Sequence, residues 1–244
     1  MNSAIRFDRV TKIFPHHVGQ MLLRDRIGHL FSKPPTTPFY ALTDVSFHVE
    51  RGESLGLIGS NGAGKSTILN LATGLARPDS GSIEVHGSVA ALLELGAGFH
   101  PDLTGAENIR INAALMGLSR REAREKFEEI IDFSGVRDSI NEPLRTYSSG
   151  MSMRLAFSVA VATNPDVLLV DEVLGVGDEA FYQRCLERIR RFQASGKTVL
   201  LASHSVALIE TFCHRALWLN KGRVMAIGKS TEVMAAYRSS VIPA

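Results

Sequence analysis

Gly59-Ser60-Asn61-Gly62-Ala63-Gly64-Lys65-Ser66-Thr67 fits the pattern G-x-x-x-x-G-K-[ST], a glycine-rich loop that cradles phosphates. Just before it, Leu55-Gly56-Leu57-Ile58 is a short apolar run that reads as a buried strand. Just after it, Ile68-Leu69-Asn70-Leu71-Ala72 reads as the start of a helix. Strand, loop and helix in that order are the context the motif requires. Glycines let successive N–H groups turn toward phosphate oxygens. The helix N-terminus adds partial positive charge. Lys65 is predicted to reach the β- and γ-phosphates, and the Ser66 hydroxyl to ligate Mg²⁺. A nucleotide site is therefore expected along Gly59, Ser60, Asn61, Gly62, Ala63, Gly64, Lys65, Ser66 and Thr67.

A second stretch completes that site. Val167-Leu168-Leu169-Val170 runs into Asp171-Glu172, so a buried strand delivers two carboxylates to one sheet edge. Asp171 is expected to hold Mg²⁺ through its water shell, and Glu172 to polarise the attacking water. Thr198-Val199-Leu200-Leu201-Ala202 is another buried strand. Ser203-His204 follows it and brings an imidazole to the same edge.

Totals narrow the class. The chain has 244 residues and 45% hydrophobic residues, which favours one globular domain with a real core. A net charge of +2 gives no strong basic field, so nucleic acid is not an expected partner. Cys185 and Cys213 belong to no paired Cys/His spacing and fit a reducing compartment. The N-terminus lacks the apolar region of a secretory signal. No run reaches the length of about 18 apolar residues that a membrane span needs.

The remaining sequence divides into β-rich and helix-rich parts. Ala4 to Val10 alternates as a strand, and Thr11 to Phe14 continues it. Gln20 to Phe31 places Leu23, Ile27, Leu30 and Phe31 at helical spacing, with charged residues between them. That amphipathic helix suits either the protein's own core or a membrane surface. Tyr40 to Val49 is another strand. Phe14 and Tyr40 are the two candidates for stacking on adenine. Ser119 and Glu122 form a capping box that starts a charged helix reaching about Ile131. Residues 104–162 read as mostly helical. Within them, Tyr147-Ser148-Ser149-Gly150-Met151 opens an apolar helix, a second anion-binding helix start.

The order of these motifs resembles the nucleotide-binding domain of ATP-binding cassette (ABC) transporters, from about residue 4 to 230. Ser148-Ser149-Gly150-Met151 is similar to that family's signature sequence, with Ser149 where glycine is usual and Met151 where glutamine is usual. The resemblance implies that Ser148, Ser149 and Gly150 face the γ-phosphate bound by another subunit. His204 matches the switch histidine, and Asp178 the acidic residue of the D-loop. Leu92 to Pro101 replaces the usual glutamine loop, so Glu94 or Leu95 stands at the position of the metal-contacting glutamine. Together with Glu172 to Asp178 and the Tyr147–Met151 stretch, this loop resembles the ATPases that export capsular polysaccharide, O-antigen and teichoic acid. That subfamily carries an extra amphipathic helix near its N-terminus, which favours the membrane-proximal reading of Gln20–Phe31.

The expected fold is thus α/β, a P-loop core with an antiparallel β lobe and a helical lobe at about residues 104–162. The expected cofactors are ATP and Mg²⁺, with Lys65, Glu172 and His204 as catalytic residues and Ser66, Asp171 and Glu94 as metal contacts. The expected partners are a second copy paired head to tail and a separate transmembrane permease. That places the chain peripherally on the cytoplasmic face of the bacterial inner membrane. The sequence past the hairpin at Leu217–Ala226 offers only a short helix, so no carbohydrate-binding domain is expected within it. Competing readings are an exporter ATPase for another lipid or small substrate, and a soluble ABC ATPase acting on nucleic acid or ribosomes. The last usually has tandem cassettes or long coiled coils, and this sequence has neither.

Overall fold

The computed structural model describes residues 3–16, 37–93, 96–171 and 178–241. The Gln20–Phe31 segment, Glu94, Leu95 and Glu172 lie outside them. Strands β1 (Ser3–His16) and β2 (Thr37–Glu50) pair antiparallel, with Phe7 opposite Phe47 and their rings stacked at 4.6 Å. Strand β3 (Ser54–Ile58) feeds the phosphate loop and helix α1 (Lys65–Ala72). Strand β4 (Ser80–Val85) returns to β1, giving a sheet of order β2-β1-β4.

Strand β5 (Val89–Leu92) precedes four helices: α2 (Gly105–Leu115), α3 (Arg120–Glu125), α4 (Phe127–Ser134) and α5 (Ser149–Ala162). The chain then alternates through β6 (Val167–Val170), α6 (Glu179–Ala194), β7 (Thr198–Ala202) and α7 (Val206–Phe212). It finishes with the β8 (Arg215–Asn220) and β9 (Arg223–Lys229) hairpin and α8 (Ser230–Val241). The second sheet runs β5-β6-β7-β3-β8-β9, parallel except for β9.

Strands β3, β6 and β7 are buried along their whole length, as parallel strands covered on both faces must be. Successive residues point to opposite faces. Leu168, Val170, Val199 and Leu201 therefore pack with Phe157, Phe181 and Ile189 on one side. Val167, Leu169 and Leu200 pack with Ile68, Leu69 and the β lobe on the other. A third cluster, including Ile109, Ile130, Leu155 and Val159, holds the four-helix stretch together. The outer face of α2 leaves Ile111, Leu115 and Met116 exposed. Among the described residues, no helix is long and apolar enough to cross a membrane.

The single charged helix expected from Ser119 to about Ile131 is instead two. Both halves of the Ser119–Glu122 capping box form, but the helix breaks at Lys126. Helix α3 buries only Ala123, whereas α4 buries Ile130 and Ile131. The break lets the second segment turn its apolar side to α5 without exposing it.

At the lower edge of the large sheet, one carboxylate joins the residues that precede three parallel strands. Asp166 Oδ2 accepts from the Ser88 amide at 3.0 Å and the Ser88 hydroxyl at 2.9 Å, and Lys197 Nζ lies 3.0 Å from Oδ1. Those bonds, with the Ser88 amide contributing most, hold the Asp166 carboxyl down at about 2. Its unfolded value is near 3.9. Asp166 therefore adds stability above about pH 4, and that stability is lost as pH falls toward 2. Asp166→Asn should flatten this part of an acid-unfolding curve followed by circular dichroism; an unchanged slope would remove Asp166 from the account.

The β8–β9 connection is a two-residue turn with Lys221 at φ 46 and Gly222 at φ 74. Left-handed backbone costs a residue with a side chain roughly 1–2 kcal/mol, and asparagine tolerates it best. Lys221→Asn should gain about 1 kcal/mol, raising the melting temperature by about 2–4 °C for a chain of this size. No gain in a thermal melt would mean that the lysine's own contacts offset the backbone strain.

Candidate nucleotide site

Parallel strands present their carboxyl ends at one edge, where open α/β sheets bind ligands. Leu57 of β3 stands opposite Ala202 of β7, and Val170 of β6 opposite Leu201. This register brings the start of the phosphate loop, Asp171 and Ser203-His204 to neighbouring positions. The Ser203 amide donates to the Leu57 carbonyl at 3.1 Å, fixing the exposed His204 beside the end of β3.

The loop is shaped by close backbone contacts. A side chain at Gly59 would sit 2.3 Å from the Leu219 carbonyl oxygen. Gly64 caps α1 at φ 110, and a Cβ there would meet the Ala41 oxygen at 2.8 Å. Lys65 is buried, and its ammonium donates to the carbonyls of Gly59 at 2.7 Å and Ser60 at 3.2 Å. Burial lowers the Lys65 pKa, and the Asp171 charge opposes that shift.

The Ser66 hydroxyl donates to Asp171 Oδ2 at 3.2 Å. A hydroxyl and a carboxylate are hard oxygen donors. Two of them suit Mg²⁺, which keeps several waters and takes its other ligands from substrate phosphates. These residues fit that ion. The cleft beside them is about 270 Å³, lined by Ala41, residues 61–67 and Asp171.

Other expected site residues fall elsewhere. Phe14 and Tyr40 are 41% and 51% exposed on the β1–β2 arm, and neither lines this cleft. Lys12 already stands over the Phe14 ring, 5.3 Å from its centre. Tyr40 directly precedes Ala41, which does line it. Ser148 is the N-cap of α5 and accepts from the Met151 amide at 3.2 Å. Ser148 and Ser149 are exposed, while Tyr147 before them is buried and donates to the Ser139 carbonyl at 2.6 Å. Helix α5 packs on α2, α4 and β5, whereas α1 packs on β4 and β7. The phosphate loop and the Ser148–Gly150 stretch therefore belong to different parts of the chain. Asp178 caps α6 through the Phe181 amide at 2.8 Å and pairs with Arg154 of α5 at 3.6 Å. Glu94 and Glu172 lie outside the described residues.

Three residues at the loop went unread in the sequence: Ala41, Leu219 and Gly222. They meet it only through tertiary packing, and the turn pattern at residues 220–223 was the sole local signal.

Comparison with known proteins gives the family and the fold. The profile of a family described as ABC transporter matches residues 42–175. The O-antigen export system ATP-binding protein RfbB of Klebsiella pneumoniae is 44% identical over 246 residues, covering 99% of this chain and 100% of that protein. The teichoic acids export ATP-binding protein TagH of Bacillus cereus is 41% identical over 98% of this chain, which spans 43% of TagH. A solved structure titled as the ATP binding subunit of an ABC transporter superposes with a TM-score of 0.77 at 24% identity, covering 97% of this chain and 94% of that one. That likeness speaks for the fold.

Proposed function

The chain belongs to the ABC transporter family as an ABC-type ATPase, and from that premise we propose that it energises export of a lipid-linked polysaccharide across the cytoplasmic membrane. The observation that carries the substrate class is the 44% identity to the O-antigen export protein, end to end on both chains. The relative named for teichoic acids export supports the same kind of reading, export of a cell-surface polymer.

In the proposed mechanism Lys65 leaves the Gly59 and Ser60 carbonyls and turns to the β- and γ-phosphates. The amides of residues 61–67 hold the remaining phosphate oxygens. Ser66 and Asp171 would hold Mg²⁺, which would supply positive charge to offset that of the triphosphate. Glu172 takes a proton from the attacking water, and His204 reads the γ-phosphate from the adjoining strand end. Ser148 and Gly150, whose stretch resembles the family's signature sequence, act on the nucleotide of a second copy paired head to tail. ATP then closes the pair and hydrolysis releases it.

The membrane partner is a separate transmembrane permease, with this chain peripheral on its cytoplasmic side. Exposed Ile111, Leu115 and Met116 support such a partner, since grouped apolar side chains on a surface mark interaction sites. The test is co-reconstitution of the chain and its cognate permease in proteoliposomes. ATP should drive movement of the lipid-linked glycan, and Lys65→Ala should abolish it. Export of an unrelated lipid in place of the glycan would overturn the substrate class.

A further inference from the structure

We propose that Gly222, in the turn between β8 and β9, is a positioning residue for nucleotide binding: it braces the phosphate loop against β2. The proposal rests on the ATPase reading and adds to it an element more than 150 residues away in sequence. Strand β8 runs parallel to β3 with Ile58 opposite Trp218, so its end reaches the loop as β3 enters it. There the Leu219 carbonyl closes over Gly59. Three residues later, the Gly222 amide donates to the Ala63 carbonyl at 2.9 Å. The Gly222 carbonyl accepts from the Thr43 amide at 2.8 Å. One residue therefore ties the middle of the phosphate loop to the strand whose Ala41 lines the nucleotide cleft.

The contact is backbone on backbone, and it has no spare room. A Cβ at residue 222 would lie 2.6 Å from the Ala41 oxygen and 3.1 Å from the Leu42 Cα. The position also has φ 74, where a side chain is strained. Gly64 reaches the same spot from the loop side: a Cβ there would come 2.8 Å from that oxygen. The turn, the loop and β2 thus meet around the Ala41 carbonyl. A side chain at 222 must push the turn off β2, and the turn pulls Ala63 with it. The loop amides then lose the spacing that fits phosphate oxygens.

The test measures MgADP affinity and hydrogen exchange on the full chain. Gly222→Ala should weaken MgADP binding at least tenfold by titration calorimetry, with Lys221→Asn in the same turn leaving affinity unchanged. In the wild-type chain, MgADP should slow exchange in residues 219–223 together with 59–67. The second measurement stands whether or not Gly222→Ala folds. A Gly222→Ala chain that melts lower yet binds MgADP normally would make the turn structural only and overturn the proposal. Protection of 59–67 without 219–223 would also overturn it while leaving the ATPase reading intact. A wild-type chain that binds no nucleotide would overturn both.

Discussion

Glu172→Gln is expected to lower ATP turnover by roughly 10²–10⁴-fold, the usual contribution of a positioned general base. The expectation follows from chain order. Strand β6 is buried over its full length and runs directly into Asp171, whose carboxylate meets the Ser66 hydroxyl. The next residue is the acid closest in sequence to that pair. Glutamine preserves the shape of glutamate and removes its proton acceptor. Affinity for ATP should be retained or rise, because one negative charge near the triphosphate is gone. The variant should therefore accumulate as an ATP-bound pair, visible as a doubled mass in size-exclusion chromatography with ATP and Mg²⁺. Phosphate release gives the rate. Turnover at the wild-type rate would take the base role away from Glu172.

How much of this was legible in the sequence depends on the range of the interaction. The phosphate loop, the apolar strands and the Ser119–Glu122 cap are set by neighbours a few residues apart, so pattern alone placed them. The family likeness rests on the order of such local motifs, and the family profile and the full-length relatives agree with it. Longer-range features were not legible. The helix expected to reach Ile131 breaks at Lys126 because α5 demands a different face from its second half. Asp166 reads as an ordinary loop acid, yet it ties together the entries to β5, β6 and β7. Gly222 reads as half of a hairpin turn, and only packing reveals that its amide reaches Ala63. The same limit applies to the adenine platform: Phe14 and Tyr40 are both exposed outside the cleft lining.

The second large effect separates a shared nucleotide site from one complete within a single chain. Ser148→Asp should leave the fold intact, because aspartate caps a helix as well as serine does. Its carboxylate can still accept the Met151 amide, and its charge favours the helix N-terminus. In the proposed pair, however, that carboxylate faces the γ-phosphate held by the other copy. Two like charges about 4 Å apart at an effective dielectric near 20 repel by about 4 kcal/mol, roughly 10³-fold in closure. ATP-dependent pairing and turnover should therefore collapse together. The affinity of the single chain for ATP should stay within about twofold, since Lys65 and its loop lie on other elements. Ser148→Asn, an equally good cap without the charge, separates electrostatics from helix geometry and should keep most activity. Equilibrium ATP binding at low protein concentration, set beside phosphate release at high concentration, reads the two effects apart. Loss of ATP affinity in the isolated Ser148→Asp chain would mean that Ser148 serves its own chain's nucleotide, and the head-to-tail arrangement would have to be given up.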